Sequence, residues 1–461
     1  MTTPFTSRRG FLSILGASAA ALTLAACGGG SSSGGGSDAD KDPNTITYWL
    51  WDANQQPAYQ AVADKFHELN PDLTIKINQM GWEDYWTKLT AAFQAGNAPD
   101  VFTDHINKFA QYMELGLLLP LDEQEGYSSE LKPEIYQDGL LDLWKGEDGH
   151  QYGSPKDWDT ISFAYNTKML EEAGFSKDDI NNWDWNPDDG GTFEKIIAHL
   201  TVDANGKRGD EDGFDKSNIA VYGLAFGQDA GGSAGQSQWS PFTGATGWNY
   251  MDKPTWGTHY NYDDKDKFQK SIDWFFGLVD KGYLPAMGVF SDASGPETQM
   301  GSEKAAVTMC GAWVIQTMLN MEGVDIDFAP SPKGPIGHPM SMMNGLGDSI
   351  NAATKNPEGA AKWVAFLGSE EGQAIVAEHA IVFPATKSGT ETVLKKWSES
   401  GKNIAAYTQP VEAGHTFYFP LSYHGEEIQA LMSPAMEAIY QRSAKADSLT
   451  AINEQVNALF Q

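Results

Sequence analysis

Chemistry in this chain concentrates where an indole stands beside a carboxylate. Trp51-Asp52, Trp82-Glu83, Asp157-Trp158-Asp159 and Trp183-Asp184-Trp185 repeat that pairing, in a chain of 461 residues with 15 tryptophans. A flat apolar ring covers C–H faces while a carboxylate or amide takes hydroxyl hydrogen bonds, so the pairing suits a polyhydroxylated ring such as a pyranose. Tryptophans at helical spacing among aliphatic residues read differently, and Trp86, Trp274 and Trp363 are expected in the core. Paired carboxylates mean little by themselves in so acidic a chain. A surface glycoside hydrolase also combines tryptophans with two acids, and a binder of a non-sugar solute such as a peptide or polyol stays open beside it.

The elements that hold these residues alternate from residue 45 onward, which argues for an α/β architecture with parallel pairing. Thr45 to Trp51 reads as a strand ending at Asp52, followed by a helix with Val62, Phe66 and Leu69 on one face and a stop at Asn70-Pro71. Leu73 to Ile77 alternates like a second strand. Trp86, Leu89 and Phe93 line the next helix, Gly96-Asn97 ends it, and Ala98 to Asp104 is a third strand. Ligands in parallel α/β sheets bind at the carboxyl ends of strands, where Asp52, Trp82 and Asp104 would lie.

The first 44 residues are an address. Ser7-Arg8-Arg9-Gly10-Phe11-Leu12 has the form of a twin-arginine export signal, and Leu24-Ala25-Ala26-Cys27 that of a lipoprotein cleavage box. The apolar run between them is too short to span a bilayer, so residues 1–26 are expected to be a removed signal peptide and Cys27 the lipidated start. Residues 27–44 form a tether, since Gly28 to Ser37 is purely glycine and serine and holds no fixed backbone. The protein is therefore expected on the outer face of the cytoplasmic membrane, lipid-anchored and monomeric. Removing residues 1–26, which hold two arginines and no acid, moves the formal charge from −31 to −33. Such acidity excludes nucleic acid and anionic headgroups as partners, because both need a basic face. Cys27 and Cys310 are the two cysteines, and with Cys27 lipidated no intramolecular disulfide can form; Cys310 follows an apolar run and reads as a buried inert thiol.

The order of short segments resembles the family 1 extracellular solute-binding proteins of sugar ABC transporters. It is carried by Trp51-Asp52, Pro71-Asp72, Gly96-Asn97-Ala98-Pro99-Asp100-Val101, Tyr152-Gly153-Ser154-Pro155 with Trp158 to Asn166, Gly301 to Ala306 with Gly311-Ala312-Trp313, Gly345 to Ile350, Asn356 to Trp363, and Phe383-Pro384-Ala385. The resemblance covers essentially the whole chain after Cys27. It implies a two-lobed periplasmic-binding-protein-like (type 2) fold, each lobe a sheet flanked by helices, joined by a hinge. Lobe 1 is expected at residues 45–157 plus 345–397 and lobe 2 at 158–344 plus 398–461. The implied function is capture of an oligosaccharide between the lobes and delivery to ABC permease subunits, without catalysis and without a cofactor or metal.

Within that frame the carbohydrate contacts are expected from Trp51, Asp52, Trp82, Glu83, Asp104, Trp158, Asp159, Trp239, Trp313 and Asp348. Trp51 and Asp52 match the family's position for sugar contacts, Trp158 and Asp159 fall at the first crossing, and Trp313 matches the family's tryptophan after a glycine. Trp82 and Glu83 could instead start a helix, Glu83 favouring its N-terminus. Asp104 precedes His105, for which a helix cap is the simpler role. Trp239 follows a glycine- and serine-rich approach, and Gly345 and Gly347 would let the backbone come close to a ligand beside Asp348. Tyr423 and His424 are weaker candidates.

Residues 203–215 place oxygen donors at close spacing, as calcium requires, but Lys207 stands at the fifth position and Phe214 at the twelfth, so an acidic turn is the better reading. No phosphate-binding glycine loop, Gly-x-Ser-x-Gly elbow, Cys-x-x-Cys pair or His-Glu-x-x-His helix is present in the sequence.

Overall fold

The strand and helix periods seen in the sequence map onto the computed structural model, which describes residues 43–227, 234–291 and 294–461. The expectations for Arg8, Arg9, Cys27 and the glycine-serine tether lie outside the described residues. Eleven strands are present among the described residues: β1 (Thr45–Leu50), β2 (Thr74–Gln79), β3 (Val101–His105), β4 (Gly153–Asn166), β5 (Val202–Asp203), β6 (Ile219–Leu224), β7 (Ala305–Gly311), β8 (Ile326–Ala329), β9 (Ser341–Ile350), β10 (Phe383–Pro384) and β11 (Thr416–Tyr418). Helices flank a curled sheet whose main path is β2-β1-β3-β9-β4-β7-β6-β5.

β1 runs parallel to β2 and β3, as the alternation of strand and helix requires. The pairings through the middle are antiparallel, which the sequence did not indicate: β3 with β9, β9 with β4, and β4 with β7 and β8. The reason is topological, since β4 carries the chain across the molecule and β9 brings it back. β4 changes partners along its length. Residues 153–160 pair with β9, and residues 161–166 pair with β7 and β8.

Helix Gln56–Leu69 buries Tyr59, Val62 and Phe66 against the sheet, but Leu69 is 52% exposed because the last turn has run past the core. Helix Trp82–Ala95 ends where Gly96 takes φ +72°, a left-handed conformation that favours glycine. One apolar core lies around β1, helix Gln56–Leu69 and helix Pro357–Leu367; a larger one runs through the rest. Trp86, Trp274 and Trp363 are all buried in these cores. Cys310 is a buried free thiol 3.1 Å from the Tyr407 hydroxyl, and burial pushes its pKa up to about 12. Among the described residues no helix is long and apolar enough to cross a membrane.

Candidate functional site

The carboxyl ends of β1 and β3 and the middles of β4 and β9 converge on one region, and the polar side chains there form a row. Along β9 the side chains of Asn344, Leu346 and Asp348 share a face, because strand side chains alternate. Thr103 and His105 of β3 share that face, and so does Asp159 of β4, which stands directly opposite Asn344. The His105 ring lies 3.1 Å from the Asn344 amide through Nε2, while Nδ1 accepts the Asn107 backbone N–H at 3.2 Å and so caps helix Ile106–Glu114. Asp159 accepts from Gln236 Nε2 at 3.1 Å, linking the row to the segment beyond β6. Burial lowers the His105 pKa to about 4 and holds the ring neutral. It also raises Asp159 well above the ordinary carboxylate range, with the Asp157 charge adding to the effect and Gln236 opposing it.

Aromatic surface flanks the row. The half-buried Trp51 meets Trp82 at 5.0 Å and Tyr85 at 5.1 Å, edge to face, and Trp82 meets His105 at 5.6 Å. Phe419 reaches the other side of His105 at 5.4 Å. Trp313 is half-buried and packs against both apolar clusters. Its ring lies over Gly311, where an added Cβ would stand 1.8 Å from Cζ3, so the glycine is what lets the indole fold across the end of β7. A cavity of about 40 Å³ opens beside the row, lined among others by Asn107, Tyr260, Phe419, Ser422 and Gly425.

The expected residues therefore divide. Trp51, Asp52, Trp82 and Asp159 lie around this region, and Trp313 folds over Gly311 at the end of β7, whose partner strand β4 carries Asp159. Asp52 accepts the Asn54 backbone N–H at 2.8 Å and so holds the turn that leads into helix Gln56–Leu69. Glu83 is exposed on the first turn of helix Trp82–Ala95, the place where an acid favours a helix N-terminus. Trp158 is 2% exposed: its ring stacks on Phe383 at 4.9 Å and 18°, and Nε1 donates to Thr390 at 2.9 Å, which leaves no open face. Trp239 is likewise enclosed, against Phe268 at 5.3 Å and Tyr250 at 6.0 Å. Trp183 and Trp185 are core residues too.

Asp104 stands on the opposite face of the sheet, behind the row, and Asp348 closes the row at its Thr103 end. Asp104 is buried between the His105 backbone N–H at 2.8 Å and Ser349, and burial pushes its pKa up to about 8. Asp348 accepts from the Tyr48 hydroxyl at 2.7 Å and from Thr103 at 3.2 Å. Beside it, buried Lys156 donates to Thr103 at 2.9 Å and lies 3.9 Å from the centre of the Tyr59 ring. Burial lowers the Lys156 pKa against the pull of Asp348, Asp157 and Asp52, and burial raises Asp157 to about 7 against the pull of Lys156. The glycines of β9 serve packing as well, because a Cβ on Gly347 would meet Trp144 at 2.5 Å and one on Gly345 the Asp157 carbonyl at 2.8 Å.

His105, Asn344, Gln236 and Lys156 were not picked out as contacts by sequence reasoning. The alternation Asn344-Leu346-Asp348 was the available signal, and it needed the strand to be assigned. In the acidic turn, Asp203 accepts the backbone N–H groups of Asn205, Lys207 and Asp215 at 2.8, 2.9 and 2.8 Å, which makes it the organiser of a turn.

A family model described as bacterial extracellular solute-binding protein matches residues 61–406. The chain is 31% identical over 137 residues to the diacetylchitobiose-binding protein DasA of Streptomyces coelicolor, a match spanning 29% of this chain and 30% of that one. It is 23% identical over 419 residues to a putative binding protein of Brucella abortus, covering 90% of this chain and 92% of that one. Among solved structures, an ABC substrate-binding protein from Listeria monocytogenes in complex with cycloalternan superposes with a TM-score of 0.73 at 18% identity, over 90% of this chain and 98% of that one. The GacH receptor of Streptomyces glaucescens, solved unliganded and with acarbose, gives 0.71 at 18%, over the same shares of 90% and 98%.

Proposed function

This chain belongs to the bacterial extracellular solute-binding protein family, and we propose that it captures an oligosaccharide between its two lobes and hands it, unchanged, to the permease of an ABC importer. The observation that carries this reading is the chain of contacts from Trp51 through Trp82 and His105 to Asn344, which stands opposite Asp159 where β4 and β9 cross the molecule. Rings there can lie on sugar faces, and the polar row can take hydroxyls. The matched stretch covers less than a third of the diacetylchitobiose-binding relative, so that ligand supports the class of compound and not its identity.

Lobe 1 spans residues 45–157 plus 345–397 and lobe 2 residues 158–344 plus 398–461 in this reading. The exchange of partners along β4, between residues 160 and 161, supports a crossing close to that boundary. Ligand stabilises the closed form because only there do both lobes touch it. Lipidation at Cys27 keeps the receptor near its permease, with the glycine-serine stretch as tether. Replacing Arg8 and Arg9 by lysine should abolish surface display if export follows the twin-arginine route.

Calorimetric titration of the mature protein against starch-derived, plant and milk oligosaccharides and diacetylchitobiose tests the reading. Saturable binding with the sugar recovered intact is the expected result. Hydrolysis beyond one equivalent would replace the receptor by a glycosidase, and monosaccharides bound as tightly as their oligomers would remove the oligosaccharide preference.

A further inference from the structure

We propose that Asn344 is a specificity-determining contact, its amide NH2 presented as a donor beside the Asp159 carboxyl group by His105 acting as a positioning residue. The proposal rests on the carbohydrate reading for its ligand and on geometry for the rest. The Asn107 backbone N–H donates to Nδ1 of His105 at 3.2 Å, so that nitrogen carries a lone pair. A neutral imidazole has one proton, which must then sit on Nε2. Nε2 lies 3.1 Å from the Asn344 amide and needs an acceptor there. The Asn344 carbonyl therefore turns toward His105, and the NH2 takes the opposite position.

That opposite position is enclosed and meets no hydrogen-bond partner among the described residues. An amide left so is costly in a chain that had no use for it. It stands where β9 faces Asp159 across the crossing, with Gln236 reaching in from beyond β6. A donor beside a carboxyl acceptor reads adjacent hydroxyls: a carboxyl oxygen of Asp159 accepts one O–H, and the NH2 donates to the neighbouring hydroxyl oxygen. The ligand class selected is a sugar with free vicinal hydroxyls at this point, and a deoxy or O-alkylated sugar is discriminated against. His105 keeps the donor aimed, because an amide released from it could present its carbonyl as easily.

Two measurements decide the matter. Histidine 15N spectra of the wild-type protein should show His105 with its proton on Nε2, and a proton on Nδ1 overturns the positioning argument. Titration with maltotriose and with diacetylchitobiose should then compare wild type with Asn344→Asp, which keeps an acceptor for His105 but loses the donor. At least a tenfold loss of affinity is expected for whichever sugar the wild type binds, at an unchanged fold by circular dichroism. Unchanged affinity overturns the contact. His105→Leu should lose affinity similarly and His105→Gln, which restores a donor, should recover part of it; equal loss in both reduces His105 to a helix cap. A wild type that binds neither sugar counts against the carbohydrate reading and the ligand role with it, while the tautomer still reports whether Asn344 is held as a donor.

Discussion

The rings around Trp51 and those around Trp185 are written in the sequence with the same letters, indole next to carboxylate, and they end in different places. Trp51 follows the last residue of β1 and stays half-buried, edge to face with Trp82 and Tyr85. Trp185 is enclosed by Phe242 at 5.2 Å and Trp274 at 5.1 Å, and Trp183 by Phe193 at 4.8 Å. The neighbouring acid does the same job in both. Asp52 accepts the Asn54 N–H in the turn that leads into helix Gln56–Leu69, and Asp184 accepts the Thr192 N–H at 3.0 Å in the first turn of helix Gly191–Leu200. A carboxylate beside a tryptophan therefore marks a helix start as readily as a binding site. What separates the two groups is the sheet, since Trp51 leaves a strand at its carboxyl end and Trp185 lies beneath a helix.

The largest expected effect is on the enclosed group. Trp239→Ala removes a core indole and should cost about 3–5 kcal/mol of stability, seen as a lower urea midpoint, while ligand affinity per folded molecule stays unchanged. A large loss of affinity in the folded variant would return Trp239 to the site and break the division.

The acids divide in the same way, and pH can show it. Burial raises Asp104 from 3.8 to about 8 and Asp157 to about 7, so the folded protein keeps protons that the unfolded chain has released. Between those values the folded state binds more protons, and its stability falls as pH rises. That contribution is fully present below the ordinary aspartate value and is lost by about pH 8. Melting temperature should therefore drop from pH 5 to pH 8, and Asp104→Asn should flatten the slope; an unaltered slope in the variant would mean that the carboxyl is charged throughout.

Trp313 tests the other side of the comparison. Trp313→Ala should weaken oligosaccharide binding roughly ten-fold, or about 1.4 kcal/mol, with only a small change in melting temperature. Gly311→Ala should do nearly the same without touching the indole, because a Cβ there stands 1.8 Å from its ring and displaces it. Full affinity in Gly311→Ala would show that the ring's resting place over the glycine is irrelevant to binding.

These outcomes bear on what was legible beforehand. β1 to β3 and their helices could be read because half-buried elements alternate visibly and because Asn70-Pro71 and Gly96 supply stop signals. β4 carried no such pattern: all 14 of its residues are buried, so nothing alternates, and its change of partners is a tertiary fact. The polar row was hidden for a related reason. His105, Asp159, Gln236 and Asn344 are far apart in the chain and meet only through sheet register. Trp51 and Trp313 were singled out through position in a family-like order, whereas the enclosure of Trp158 and Trp239 depends on Phe383, Thr390 and Phe268, which no local pattern ties to them.

The smallest expected effect is also the one that separates the two roles of an acid most cleanly. Glu83 is exposed on the first turn of helix Trp82–Ala95, next to an indole that touches Trp51 and His105. As a helix-terminus charge it is worth about 0.3–1 kcal/mol and is screened by salt. Glu83→Gln should then lower the melting temperature slightly at low ionic strength, lose that difference in high salt, and leave sugar affinity alone. A carboxylate that takes ligand hydroxyls would behave in the opposite manner, with affinity reduced several-fold at every salt concentration and stability unmoved. Since Asp52 both holds the turn before a helix and stands just beyond the end of β1, Asp52→Asn measured beside it shows whether a single carboxylate at this end of the sheet carries both roles at once.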